Sequence, residues 1–263
     1  MQAAPGRLYG LGVGPGDPEL LTLKALRLLR QVPVIAYPAP EHGESFARSI
    51  VADWIAGHQR EIAIRFPMQP GPPPVSIYDA AAAGLAAELD GGQDVALLCQ
   101  GDPLFYGSSI NVFGRLAGQY RVEIVPGVSS LTACAAAAMV PLVSRDESLS
   151  VIPAPLAEGE IAARLATAET AAIVKLGRHL EKVRRTLGRL GLLDCAVYVE
   201  HATLPSQQVM PLAHVDTGEA PYFSTALVYR RGLDWTCPQP WTTRGWKIQL
   251  HRTAAWPGLP ANR

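Results

Sequence analysis

The residues best placed to do chemistry sit in three short glycine loops. Gly16-Asp17-Pro18 closes the run Leu8-Tyr9-Gly10-Leu11-Gly12-Val13-Gly14-Pro15, and Gly101-Asp102-Pro103 follows Val95-Ala96-Leu97-Leu98-Cys99. Val125-Pro126-Gly127-Val128-Ser129-Ser130 forms the third. Glycine lets backbone approach a ligand closely, proline stiffens the turn, and a short acid is left at a strand end. In an open parallel sheet the loops at the carboxyl ends of strands build the ligand crevice. Three such loops in one chain predict a small-molecule site and an enzyme.

The loops also say what that molecule is not. A dinucleotide fingerprint needs Gly-x-Gly-x-x-Gly, but from Gly10 the third glycine falls on Pro15 and from Gly12 on Asp17. A P-loop ends in Gly-Lys-Ser/Thr, whereas Gly16-Asp17-Pro18 puts an acid where a phosphate would sit. Such a site suits a cationic or neutral nucleoside, and S-adenosylmethionine, with a sulfonium, an ammonium and no phosphate, fits that description.

Alternating segments must position these loops. Strands are expected at residues 8–13, 32–37, 61–65, 94–99 and 122–125, with helices at 18–30, 45–56, 77–89, 108–116 and 129–139. Asp17 is expected to cap the first helix with Pro18 at its first position. The rhythm then changes, with strands at 149–152, 171–175, 196–200, 207–212 and 223–229 and two helices at 158–168 and 180–190. The last two strands follow each other across a short polar connection, so part of that sheet should be antiparallel. The expected organisation is two α/β domains, residues 1–126 and 127–231, with a ligand trough between them. A Trp/Pro-rich extension at 232–263 holds four of the five tryptophans.

At 263 residues, 48% hydrophobic and 17% charged, the chain is of globular composition. Its zero formal net charge argues against a broad nucleic-acid or membrane-surface footprint. Cys99, Cys134, Cys195 and Cys237 show neither zinc-site nor disulfide-scaffold spacing, so reduced thiols and a cytoplasmic location are expected. The longest apolar run, 131–143, is broken by Pro141 and too short to span a bilayer, and no secretory leader is apparent.

The motifs carry a resemblance. The run from Leu8 through Gly16-Asp17-Pro18-Glu19-Leu20-Leu21-Thr22 is similar to the opening signature of the tetrapyrrole (corrin/porphyrin) methylases. Gly101-Asp102-Pro103-Leu104-Phe105-Tyr106-Gly107 resembles their central motif, and Val125-Pro126-Gly127-Val128-Ser129-Ser130 their third. Pro141-Leu142, Arg145-Asp146-Glu147, Val174-Lys175-Leu176-Gly177-Arg178-His179 and Pro221-Tyr222-Phe223-Ser224 resemble the precorrin-2 C20-methyltransferase branch. The likeness runs from about residue 8 to residue 230. Gln100 departs from the acid or small residue expected there, and the prolines at 70–74 lack an expected basic residue.

The resemblance implies a homodimer of two-domain subunits that bind S-adenosylmethionine between the domains. It implies methyl transfer to the C20 meso carbon of precorrin-2, giving precorrin-3A on the route to cobalamin, with no metal required. Pro15, Gly101, Asp102, Ser129, Ser130 and Leu176 should line the donor site, with Ala202 and Thr225 contributing. Asp102, Tyr106, Glu147 and His201 are the candidates for taking the proton that must leave the methylated carbon. Arg145 and Arg178 should hold the acceptor's carboxylates, with Lys175, Lys182 and Arg184 next.

Structural readings stand beside these. Asp17 serves equally as a helix cap, Tyr106 as a packing aromatic, and His201 as a structural histidine beside Glu200. Arg145-Asp146-Glu147 reads equally as a surface turn, and His179, Lys182, Arg184 and Arg185 as a solvated helix face. A methylase of other regiochemistry, or one acting on cobalt-factor II, would share every motif. A non-catalytic binding module is the reading outside the enzyme class.

Overall fold

β1 (Arg7–Gly12), β2 (Val34–Pro40), β3 (Arg60–Phe66), β4 (Val95–Cys99) and β5 (Arg121–Val125) form one parallel sheet in the order β3-β2-β4-β1-β5. The computed structural model describes residues 4–67, 73–216, 218 and 220–230. The extension at 232–263 and the middle of the proline-rich loop therefore lie outside the described residues.

Alternation along the strands gives the sheet two apolar faces, as a parallel sheet requires. Tyr9, Leu11, Ile35, Ala96 and Leu98 meet Ala25, Leu28 and Leu29 of α1 (Leu23–Gln31) and Ile50 of α2 (Phe46–Ile50). Leu8, Val34, Val95 and Leu97 meet Leu85 and Leu89 of α3 (Val75–Asp90) and Phe113 of α4 (Ile110–Leu116). α1 carries the chain from β1 to β2 on one face, and α4 carries it from β4 to β5 on the other. The topological switch point therefore falls between the neighbouring strands β1 and β4, where ligands bind in open sheets.

The second sheet contains β6 (Leu149–Pro153), β7 (Thr170–Val174), β8 (Ala196–Glu200), β9 (Gln208–Pro211) and β10 (Ser224–Tyr229) in the order β6-β7-β10-β8-β9. β6 and β7 are parallel, and every other pairing is antiparallel. The last two strands do not pair with each other; β10 inserts between β7 and β8, and β9 takes the outer edge. α6 (Glu158–Thr167) and α7 (Leu180–Arg189) bury Ile161, Leu165, Val183 and Leu187 on one face. α5 (Ser130–Ala138) packs against β8, β9 and β10.

Three elements differ from the expected ones for local reasons. The first helix is interrupted: Asp17 caps only a 3-10 turn at Pro18–Leu20, Leu21 turns extended, and the Thr22 hydroxyl caps α1 by accepting from Ala25 N–H at 3.2 Å. The Ser45-capped helix stops at Ile50 and continues as one 3-10 turn, Ala52–Trp54. β2 runs on through Pro38 and Pro40, because its pairing with β4 ends at Ala36 and no ladder donor is needed beyond it.

Gly127 and Gly84 separate two uses of glycine. A Cβ on Gly127 would lie 2.1 Å from the Gly101 carbonyl oxygen, whereas one on Gly84, exposed in α3, would meet nothing within 4 Å. Gly127→Ala should therefore lose stability at the upper end of about 1–3 kcal/mol. Gly84→Ala should gain about 0.5–1 kcal/mol from helix propensity. Denaturant unfolding of both variants tests this; equal effects would contradict it.

Candidate active site

The site begins where β1 and β4 end side by side. Val13 N–H donates to the Cys99 carbonyl at 2.9 Å. Gly14 and Gly101 then exchange two bonds, Gly101 N–H to Gly14 O at 2.8 Å and Gly14 N–H to Gly101 O at 3.4 Å. Both have left-handed backbone, with φ of +81° and +65°, which glycine alone adopts without cost. The third loop crosses beneath them. A Cβ on Gly12 would lie 2.4 Å from Gly127 N, so the three loops touch backbone to backbone. Gly12 and Gly127 thus serve contact between loops. Gly101 serves its own turn, since a Cβ there meets nothing nearer than 3.9 Å.

The two Gly-Asp-Pro acids are committed to this framework. The Asp102 carboxylate accepts from Leu104 N–H at 2.9 Å and from Gly127 N–H at 3.1 Å, clamping the second loop to the third. Asp17 accepts from Glu19 N–H at 2.8 Å, and its own N–H donates to the Thr203 hydroxyl at 3.1 Å. That bond crosses to the other sheet, as does the seat of Gly16 against Leu204 and Thr203. Phe46 stacks on Phe223 with ring centroids 4.6 Å apart, a further tie across the cleft.

Two chambers of about 150 and 250 Å3 open between the sheets and share Gln100, Phe105, Tyr106 and Tyr222 in their walls. Pro15, Ser130, Ala202 and Thr225 line the smaller one together with Tyr106 and His201. Ile64, Phe66, Leu97 and Val112 give the larger one an apolar portion, beside the polar Gln100, Ser108 and Ser109. Cys134 and Cys99 sit in the respective walls; burial pushes the first thiol up to about 11 and the second up to about 12, so both are neutral near pH 7.

Several expected residues fall elsewhere. Gly101, Asp102, Ser129 and Leu176 do not surface in either chamber. Ser129 caps α5 by accepting from Leu131 N–H at 3.2 Å, and Leu176 is fully buried in the second core. Both oxygens of Asp102 accept backbone hydrogen bonds, which gives this acid a structural role in joining the loops. Glu147 closes its own turn by accepting from Ser144 N–H at 2.8 Å, and the Tyr229 hydroxyl lies 3.4 Å from the same oxygen. Arg145 is exposed on that turn and Arg178 is exposed in the 3-10 turn Gly177–His179, and neither is among the residues lining the two chambers.

The helix face read as solvated is instead tied down. Lys182 donates to Leu156 O at 2.6 Å, Arg184 donates to the carbonyls of Ala213 and Val215, and Arg185 and Arg189 converge on Glu158. Lys175 does line the smaller chamber, as do Phe105, Tyr222 and Phe223, to which sequence reasoning gave no role. Two aromatics immediately before a buried strand, Tyr222-Phe223, were the available signal for the last two.

Strain concentrates in the same place. Among the described residues, six non-glycine positions have positive φ, and three of them, Tyr106 (57°), Lys175 (60°) and His201 (50°), line the smaller chamber. Left-handed backbone at such residues costs on the order of 1–3 kcal/mol and tends to mark functional sites. Lys175 and His201 follow β7 and β8 directly, so the strand ends turn their side chains into the cleft.

With this geometry established, likeness to known proteins becomes informative. Residues 7–216 match the family of tetrapyrrole (corrin/porphyrin) methylases. The chain belongs to this family. It is 43% identical over 232 residues to a precorrin-2 C(20)-methyltransferase of a Sinorhizobium species, covering 85% of this chain and 95% of that one. It is equally 43% identical over 235 residues to the cobalamin biosynthesis protein CobIJ of Mycobacterium bovis, covering 86% of this chain but 46% of that one. The chain thus spans about half the length of the latter relative. A uroporphyrin-III C-methyl transferase from Thermus thermophilus, solved with S-adenyl homocysteine, superposes with a TM-score of 0.64 at 25% identity, covering 86% of this chain and 92% of that one.

The clamp role of Asp102 is directly testable. Asp102→Ala leaves Gly127 N–H without its acceptor and should cost about 1–2 kcal/mol in unfolding free energy. Asp102→Asn, which keeps one of the two acceptor oxygens, should lose less stability than Asp102→Ala and, where folded, retain methyl-transfer activity within a few-fold. An Asn variant that is fully folded yet inactive would restore Asp102 as a proton acceptor.

Proposed function

We propose that the chain is a precorrin-2 C20-methyltransferase, transferring a methyl group from S-adenosylmethionine to the C20 meso carbon to give precorrin-3A in cobalamin biosynthesis. The observation that carries this reading is the interlock of three glycine loops at the switch point, opening on a cleft with no phosphate site. Asp17 already occupies the N–H that a P-loop would offer a phosphate. Relatives bearing this activity in their names support the choice of acceptor.

The smaller chamber fits the donor chemically. Pro15, Ala202 and Leu204 provide apolar contact for a nucleoside and a thioether stem, and the Ser130 and Thr225 hydroxyls provide polar contact. The first turn of α5 adds partial positive charge suited to a carboxylate. When bound, the donor supplies a methyl group already activated on a cationic sulfur. The protein therefore has to align, dry and discharge. The tilted Phe46–Phe223 ring pair and the apolar side chains Ile64, Phe66, Leu97 and Val112 of the larger chamber offer surface that keeps water from a flat macrocycle. Holding the two reactants in line is worth about 7–11 kcal/mol in favourable cases. With Asp102 and Glu147 committed elsewhere, Tyr106 and His201 are the groups lining the donor chamber that can take the departing proton.

We further read the chain as a cytoplasmic homodimer with its domain boundary at residues 126/127 and no metal requirement. No helix of the described residues is long and apolar enough to cross a membrane, and none of their His, Cys, Asp or Glu side chains cluster to hold a metal. Exposed Leu104, Ile110, Met139 and Val143 offer apolar surface that a second copy would cover.

The test is incubation with S-adenosylmethionine and precorrin-2, free or cobalt-loaded, followed by mass spectrometry and NMR. The expected product carries one added methyl group, at C20, and ATP, GTP and NAD do not compete with the donor. A methyl group at another carbon, or competition by any of these nucleotides at micromolar concentration, would overturn the reading.

A further inference from the structure

We propose that Lys175, held over the ring of Tyr106, is the carboxylate anchor that sets how the tetrapyrrole enters the cleft. This rests on the acceptor being a polycarboxylate macrocycle, as read above. Of the residues lining the two chambers, Lys175 is the one lysine or arginine among the described residues. Its Nζ lies 5.3 Å from the Tyr106 ring centroid. None of the ion pairs among the described residues includes it. Of the other cations expected at the acceptor side, Arg145 and Arg178 are not among the residues lining either chamber, and Lys182 and Arg184 are bonded to carbonyls. A cation left unpaired at a cleft wall is a cation available to a ligand's carboxylate.

The backbone argues the same way. Lys175 is left-handed at φ 60°, immediately after β7, although its neighbour Gly177 shows that glycine is used nearby for positive φ. A residue whose only task was to turn the chain would be glycine or asparagine. Tyr106 is also left-handed, at φ 57°, and belongs to the walls of both chambers. Two strained residues from opposite sides of the cleft thus meet, and because Tyr106 walls both chambers, the charge of Lys175 stands in the donor chamber beside its junction with the larger one. The ring holds the flexible lysine stem without neutralising it, as a carboxylate would. Tyr106 acts here as a positioning residue. An acetate or propionate side chain paired with Nζ at that junction would fix the macrocycle's rotation, and with it the meso carbon presented to the donor.

The experiment compares Lys175→Gly, Lys175→Arg and Tyr106→Asn with the wild-type chain. Glycine and asparagine both tolerate positive φ, so folding should survive, with a thermal midpoint for Lys175→Gly no lower than wild type. A charged hydrogen bond is worth roughly one to two decades in affinity, and the exposed position of Lys175 puts the effect near the lower figure. Lys175→Gly should raise KM for precorrin-2 about tenfold and change kcat and the Kd for S-adenosylhomocysteine by less than about twofold. Lys175→Arg should stay within about threefold of wild type. Tyr106→Asn should weaken porphyrin binding by a smaller factor, and adding it to Lys175→Gly should bring little further loss of porphyrin affinity, whatever it does to kcat as a candidate proton acceptor. Binding of uroporphyrin III, followed by absorbance, reads the anchor without turnover and so separates it from the choice of reaction. Unchanged KM and porphyrin affinity in Lys175→Gly would overturn the proposal. So would a loss of homocysteine-product affinity equal to the loss of porphyrin affinity, which would place the lysine on the donor side.

Discussion

The structure depends on a contact that only absent side chains permit. Gly12, Gly101 and Gly127 come from three separate loops and bring backbone within van der Waals distance of backbone, with the Asp102 carboxylate clamping the last two together. Because β1 and β4 are neighbours whose connections leave on opposite faces, the contact sits at the switch point of the sheet. The crevice left there cannot be filled by the sheet's own helices. Everything else in the cleft is hung from this knot: the Asp17 bond to Thr203, the seat of Gly16 against Leu204, and the position of the α5 N-terminus.

The second sheet answers with strand ends. β7 and β8 point the same way, and β10 runs between them in the opposite sense, so Lys175, His201 and the Tyr222-Phe223 pair emerge at one edge. The knot is built from glycines that relieve strain, whereas the facing wall is built from non-glycine residues that bear it. Such an arrangement favours precise side-chain placement over stability. The donor carries its own activation, and the protein supplies alignment and dryness.

Much of this was legible in the residues. The apolar runs 8–13 and 94–99 announced central parallel strands, and the repeated Gly-Asp-Pro placed the crevice. The Asp17 cap was legible too, although it closes only a 3-10 turn, and Thr22, which was not expected as a cap, starts α1. The wall opposite was less legible, because two of its residues, Lys175 and His201, take left-handed backbone at strand ends, which no local pattern signals. Arg145 and Arg178 were attractive by charge alone. Charge does not say which way a surface turn faces, and neither residue is among those lining the two chambers. Asp102 was expected to meet a ligand because it sits at a strand end; the hydrogen bond to Gly127, 25 residues later, is a tertiary fact that composition could not reveal.

The central claim is that the methyl donor lies between the glycine knot and the strand ends that face it. Hydrogen exchange of the chain with and without S-adenosylhomocysteine tests it most directly. The account predicts that protection increases together in residues 12–17, 100–106, 127–131, 201–204 and 222–225, with the outer faces of α3 and α7 unchanged. Protection confined to one sheet, or centred away from these five segments, would contradict it.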